Sequence, residues 1–229
     1  MSIESNTNYS RSVSGIIPIS LIILGAGSSS RMKEQNGHHK LSLRIPEYDT
    51  SLLEATLQCY ATVSWNDILL VLGAEIQYLQ HHAQRLFAGI QTITLSNPEH
   101  GISASIRAAI EASSHSSLGY MLALADMPYI RQSSIEALCS AFMRQRNSTE
   151  CIVAPAYKSQ RGHPIIVGTA FRAQLLQLHG DIGARHILRD YTDSIILLET
   201  DDEGTVLDID TQCDWEYFCH YYTQASRRE

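Results

Sequence analysis

No two of the five cysteines stand in a C-x-x-C pair. Their odd number and wide scatter (Cys59, Cys139, Cys151, Cys213, Cys219) exclude a disulfide framework and a cysteine zinc site. They read as reduced thiols of a cytoplasmic protein. Excess positive charge is also lacking: 17 Lys and Arg against 24 Asp and Glu leave a formal net charge of -7, so no nucleic-acid partner is expected. Apolar runs stop at about eight residues, far short of the ~20 that cross a bilayer, and no membrane partner is expected either. The stretch from Met1 to Ser14 is polar and has no signal-peptide core. Residues 1–15 are expected as a disordered polar arm, and residues 16–229 as a single domain, a size well able to bury one core.

What the chain does carry is a regular beat of short apolar runs and amphipathic stretches. The runs are ISLIILGA ending at Ala26, DILLVLGA at Ala74, IQTITLSN at Asn97, GYMLALAD at Asp126, CIVAPAY at Tyr157 and SIILLET at Thr200. Rich in β-branched residues and without polar alternation, they predict central strands covered on both faces. Between them, Leu52, Leu53, Thr56, Leu57 and Tyr60 share one helical face, as do Ile102, Ile106, Ala109 and Ile110, and Ile135, Leu138, Cys139, Phe142 and Met143. Ser133 or Ser134 is placed to cap the third helix, and a further helix is predicted from about Asp214. This beat predicts an α/β fold, a three-layer, doubly wound, mostly parallel sheet of Rossmann-like kind. Ligands of such sheets gather at the carboxyl ends of the strands.

The first predicted strand runs into Leu24, Gly25, Ala26, Gly27, Ser28 and Ser30, then Arg31. Such small residues let backbone N–H groups approach a phosphate; the alternative is a plain structural turn. Arg31 adds a planar cation and Lys40 a second, both suited to triphosphate oxygens. Two known phosphate loops are excluded. No G-K-[ST] follows at P-loop spacing, and Ser30 stands where a dinucleotide loop needs its third glycine.

From this loop onward the chain resembles the MobA-like nucleotidyltransferases, above all the molybdenum cofactor cytidylyltransferases, whose opening motif is L-A-A-G-x-S-x-R-M-G-x-x-K. The resemblance continues in order through Gly101-Ile102-Ser103-Ala104-Ser105-Ile106-Arg107, Ala125-Asp126-Met127-Pro128, Arg161-Gly162-His163-Pro164, Gly180-Asp181-Ile182-Gly183-Ala184-Arg185 and Asp208-Ile209-Asp210-Thr211. It spans roughly Leu21 to Trp215, and six motifs in register make it specific. Two departures stand out. Leu24-Gly25-Ala26-Gly27 replaces L-A-A-G, and Arg31 and Lys40 stand nine positions apart instead of five, so Lys40 keeps its role only if the insertion bulges outward. After D-I-D-T the family's helix-opening proline is absent.

The resemblance implies transfer of a nucleoside monophosphate from a nucleoside triphosphate to a phosphorylated pterin-type acceptor, with release of pyrophosphate and with Mg²⁺. Alanine at position 26 leans toward CTP. Guanylyl or uridylyl transfer, another acceptor, or a non-catalytic nucleotide-binding or chaperone-like role are the alternatives, and an apo-molybdoenzyme is the partner implied for the product. Both substrates are anionic, so cations and positioning carry the chemistry, with Arg31, Lys40 and Asp126 as catalytic candidates. Asp126 ends a predicted strand and is the first metal candidate, against an Asp that merely shapes a turn. The second is Asp208 or Asp210, against a solvated acidic stretch. Ser103 and Ser105 can meet the nucleotide at a helix start, with Ser103 otherwise an N-cap. Gly162, His163 and Pro164 can line an acceptor pocket or form a structural turn, and Arg185 can face the acceptor or merely start a helix. The His38-His39 and His81-His82 pairs lack metal spacing and are expected at the surface.

Overall fold

A computed structural model describes residues 15–29, 32, 37–46, 48–96, 101–180 and 183–226, with only the backbone at 185, 186 and 222–226. The strands are β1 (Ile17–Gly25), β2 (Trp65–Gly73), β3 (Gln91–Leu95), β4 (Gly119–Leu124), β5 (Ile152–Tyr157), β6 (Gln160–Arg161), β7 (Ile165–Gly168) and β8 (Ile195–Glu199). They form one sheet in the order β3-β2-β1-β4-β7-β5-β6, with β8 paired to β5. β1 lies parallel between β2 and β4, β3 is parallel to β2, and β8 is parallel to β5. β7 runs antiparallel to both β4 and β5 and joins the two parallel parts. All six apolar runs are strands. Not all are central, however: β3 and β8 each have one partner and are partly exposed, so apolar content alone overstated their burial.

Alternation along β1 splits the core in two. Ile17, Ile19, Leu21 and Ile23 face one cluster, and Ile22 and Leu24 the other. On the first side lie α1 (Leu52–Gln58), α4 (Gln132–Met143) and α7 (Gln212–Ser226), which bury Leu53, Leu57, Leu138, Phe142 and Phe218. On the other lie α3 (Gly101–Ala112), α5 (Arg172–Leu176) and α6 (Arg185–Asp190), which bury Ile106, Ile110, Leu175 and Ile187. The result is the predicted three-layer sandwich. α2 (Gln80–Leu86) covers the outer part of the first side through Ala83.

The predicted helical faces are buried except for Ile102, half-buried at the start of α3, and Met143, which is 41% exposed at the last turn of α4. The cap predicted for that helix is not made: Arg131 is the N-cap without a side-chain bond, and the Ser134 hydroxyl instead donates to buried Asp202. Residues 1–14 of the expected arm lie outside the described residues. Among those described, no helix is long and apolar enough to cross a membrane.

Candidate active site

β1 and β4 end side by side, and the Ala125 N–H donates to the Leu24 carbonyl where they stop. A cleft of about 360 Å³ opens there. Leu24, Gly25, Ala26, Gly27 and Ser28 form one wall, with Lys40, Ser105 and Asp126 among the rest of its lining. Gly25 is tightly packed: a Cβ there would lie 3.0 Å from Leu41 Cδ1, 3.1 Å from Ala125 Cβ and 3.2 Å from Leu72 Cδ2, so those side chains would have to give by a few tenths of an ångström.

Lys40 returns to the cleft despite its altered spacing, because two hydrogen bonds tie its segment to the glycine loop. The Lys40 N–H donates to Ser29 Oγ at 2.9 Å, and His39 Nε2 bonds the Gly27 carbonyl at 3.0 Å. His39 Nδ1 accepts from the Leu41 N–H at 3.2 Å, which leaves the ring proton on Nε2 to serve Gly27. His39 is therefore buried, contrary to the surface expectation. His38 is exposed as expected, and so is His81, but His82 turns partly inward to Glu54. Ser30 and Arg31 lie outside the described residues.

The Lys40 ammonium bridges Asp126 Oδ2 and Asp210 Oδ1, both at 2.6 Å. Burial alone would lower its pKa, but Asp126 and then Asp210 raise it above the ordinary lysine value, so the charge is held. Asp208 joins the cluster: its carboxylate and those of Asp126 and Asp210 each offer an oxygen within 4.8 Å of the others. Desolvation, then Asp210 and Asp126, push the Asp208 carboxyl above its ordinary range, with Lys40 opposing. Asp126 Oδ1 is buried with no hydrogen-bond partner among the described residues. Three hard-oxygen donors around one orphaned buried oxygen fit a magnesium or manganese ion.

Backbone bonds hold the two acidic segments together. The Ile209 N–H donates to the Asp126 carbonyl at 2.9 Å, fixing 208–210 beside the end of β4. Asp214 Oδ2 accepts from the N–H groups of Asp210 and Thr211 and from the Thr211 hydroxyl, while the Asp214 N–H donates to Thr211 Oγ1. This reciprocal cap opens α7 in place of the missing proline. Burial raises the Asp214 pKa, but the Thr211 hydrogen bonds outweigh it and hold the carboxyl below its ordinary range.

The remaining candidates fall around this centre. Ser103 is not an N-cap, since α3 begins at Gly101; its hydroxyl is fully buried without a partner among the described residues, and it does not line the cleft. Gly162 and His163 are packed on the segment that carries the acids, and Pro164 after them is buried: the His163 N–H donates to the Thr205 carbonyl, and a Cβ on Gly162 would come within 2.2 Å of that oxygen. Gly183 approaches Ile102 on the cleft wall so closely that a Cβ would lie 2.8 Å from Cγ2. That contact brings the loop before α6 to the cleft, while the Arg185 side chain lies outside the described residues. His39, Ser29 and Asp214 were not singled out from sequence; only Thr211-x-x-Asp214 carried a legible signal, a cap pattern.

A doubly wound sheet that gathers a glycine loop, a lysine and three carboxylates at one carboxyl rim has the architecture of a nucleotidyltransferase. The chain belongs to the MobA-like NTP transferase domain family, whose model matches residues 21–195. It is 25% identical over 198 residues to nicotine blue oxidoreductase of Paenarthrobacter nicotinovorans, covering 83% of this chain and 91% of that protein. The crystal structure of a homologue of Mycobacterium tuberculosis Rv0371c from Mycobacterium sp. strain JC1 matches with a TM-score of 0.75 and 24% identity, over 92% of this chain and 99% of that one. The manganese complex of Rv0371c itself matches with a TM-score of 0.68 and 22% identity, over 88% and 98%. These two likenesses speak for the fold.

Proposed function

We propose that the protein transfers a nucleoside monophosphate, by preference CMP from CTP, to the phosphate of a pterin-type acceptor such as the molybdopterin cofactor, with magnesium. The observation that carries this reading is the Lys40 bridge between Asp126 and Asp210 at the lip of the glycine-loop cleft. The loop N–H groups and Lys40 hold the triphosphate, and Ser105 and Ile102 bound the cleft on the α3 side. Asp126, with Asp208 or Asp210, would hold the metal, which when bound neutralises charge on the phosphate oxygens. The manganese bound by Rv0371c supports a divalent ion here. An acceptor phosphate oxygen attacks the α-phosphorus in line, forming one P–O bond as the bond to the β-phosphate oxygen breaks and pyrophosphate leaves. The curated relative bears an oxidoreductase name; family membership, and not that name, supports transfer.

The test is pyrophosphate release from a panel of CTP, GTP and UTP with and without molybdopterin. Release with CTP that depends on the acceptor is expected, and Asp126→Asn should lower turnover more than tenfold with an unchanged melting temperature. Nucleotide binding without release from any triphosphate would instead favour a non-catalytic protein.

A further inference from the structure

None of the roles assigned above uses the hairpin formed by β5 and β6. Its two turn residues, Lys158 and Ser159, both lie in the left-handed region at φ 48° and 66°. Such a turn favours Asn and Gly, and a strained turn made of other residues points to a use for their side chains. Lys158 Nζ stands 4.7 Å from the centre of the Tyr157 ring, which holds the ammonium at the tip. Arg161 pairs with Ala156 across the hairpin and is exposed, as is Lys158.

The strand register places this hairpin. β7 is antiparallel to β4 and to β5, so β5 and β4 point the same way and end at the same rim. The Met121↔Ile166 and Val153↔Ile166 registers put Ala156 level with Leu124, so the end of β4, with Asp126 two residues on, and Arg161, the partner of Ala156, stand at the same rim. Between them runs the segment of the acids, bonded to Asp126 through Ile209 and to His163 through Thr205. The carboxylates therefore stand between the glycine-loop cleft on one side and the hairpin on the other. The base of the hairpin is locked to the same segment, since Gly162 leaves no room for a Cβ against Thr205 and its N–H donates to the Pro155 carbonyl at 2.9 Å.

A nucleotide lying along the glycine loop leaves the hairpin's side for the second substrate. That substrate must bring an anion up to three carboxylates on a chain of net charge -7, which calls for cations on its path. We propose that Lys158 and Arg161 bind the phosphate of the acceptor, with Tyr157 as the platform that positions Lys158. This rests on the nucleotidyl-transfer reading and adds to it the residues that recognise the second substrate.

The probe is neopterin monophosphate, titrated through its own fluorescence without turnover, against unphosphorylated neopterin. Wild-type protein should bind the phosphorylated form at least tenfold more tightly, with an advantage that shrinks as salt rises. The double variant Lys158→Ala/Arg161→Ala should lose at least tenfold in that affinity while keeping its melting temperature and its affinity for CTP. In turnover its acceptor KM should rise with kcat little changed. Equal binding of the phosphorylated pterin by variant and wild type, or binding of neither pterin by the wild type, would overturn the assignment. Failure of the nucleotidyl-transfer reading would show separately, as absence of pyrophosphate release by a wild type that binds the probe.

Discussion

Lys40 is the residue on which the charge balance of the rim depends. It lies between two carboxylates at 2.6 Å with Asp208 close by, and only 12% of its side chain is exposed. Replacing it with methionine leaves partly buried acids facing one another, an arrangement expected to cost roughly 2 kcal/mol, less than for a fully buried pair because water still reaches the rim. Saturating Mg²⁺ should restore more of that loss in Lys40→Met than it adds to the wild type. Urea unfolding with and without the ion measures this, and identical metal responses would contradict the role. At this scale Lys40, Asp126 and the Asp208/Asp210 pair were legible through the motif resemblance, and Asp126 also as the charged end of a predicted strand. His39 was not, since nothing in the pair His38-His39 tells which ring is turned inward to the Gly27 carbonyl.

Among the elements, α1 shows how local sequence anchors the sheet face beneath the site. Ser51 and Glu54 form a reciprocal cap, and the second Glu54 oxygen reaches Arg85 at 2.9 Å and His82 at 3.2 Å on α2. Burial raises the Glu54 pKa, but the Ser51 and His82 contacts outweigh it and hold the carboxyl below its ordinary value of 4.5. The folded protein therefore binds this proton less readily than the unfolded chain does. Its contribution to stability is full above about pH 4.5 and is lost as pH falls through the folded value. Unfolding free energies measured across that range should fall less steeply with acid in Glu54→Gln than in the wild type; parallel slopes would refute the link. The six long strands were readable as unbroken apolar runs and the long helices from apolar periodicity. β6 and β7 were not, because strands of two and four residues carry no period, and the Ser134 hydroxyl went to Asp202 because a distant buried carboxylate competes better for it than a helix end.

For the molecule as a whole, the doubly wound sheet brings residues 25, 40, 126 and 210 to one rim, and the fold class and these positions were both foreseeable from motifs in order. The antiparallel insertion of β7 was not foreseeable, yet it decides which side of the acids the β5–β6 hairpin occupies, since two parallel halves of a sheet can be joined in more than one way. The Ile209 to Asp126 backbone bond was equally hidden, being a pairing across distant segments that no local pattern encodes. The most direct measurement is a crystal structure with CTP and Mg²⁺. The triphosphate is expected along Gly25 to Ser28 with the ion held by Asp126 and by Asp208 or Asp210. A nucleotide bound elsewhere, or an ion that leaves Asp126 untouched, would contradict the assignment of this rim as the site of transfer.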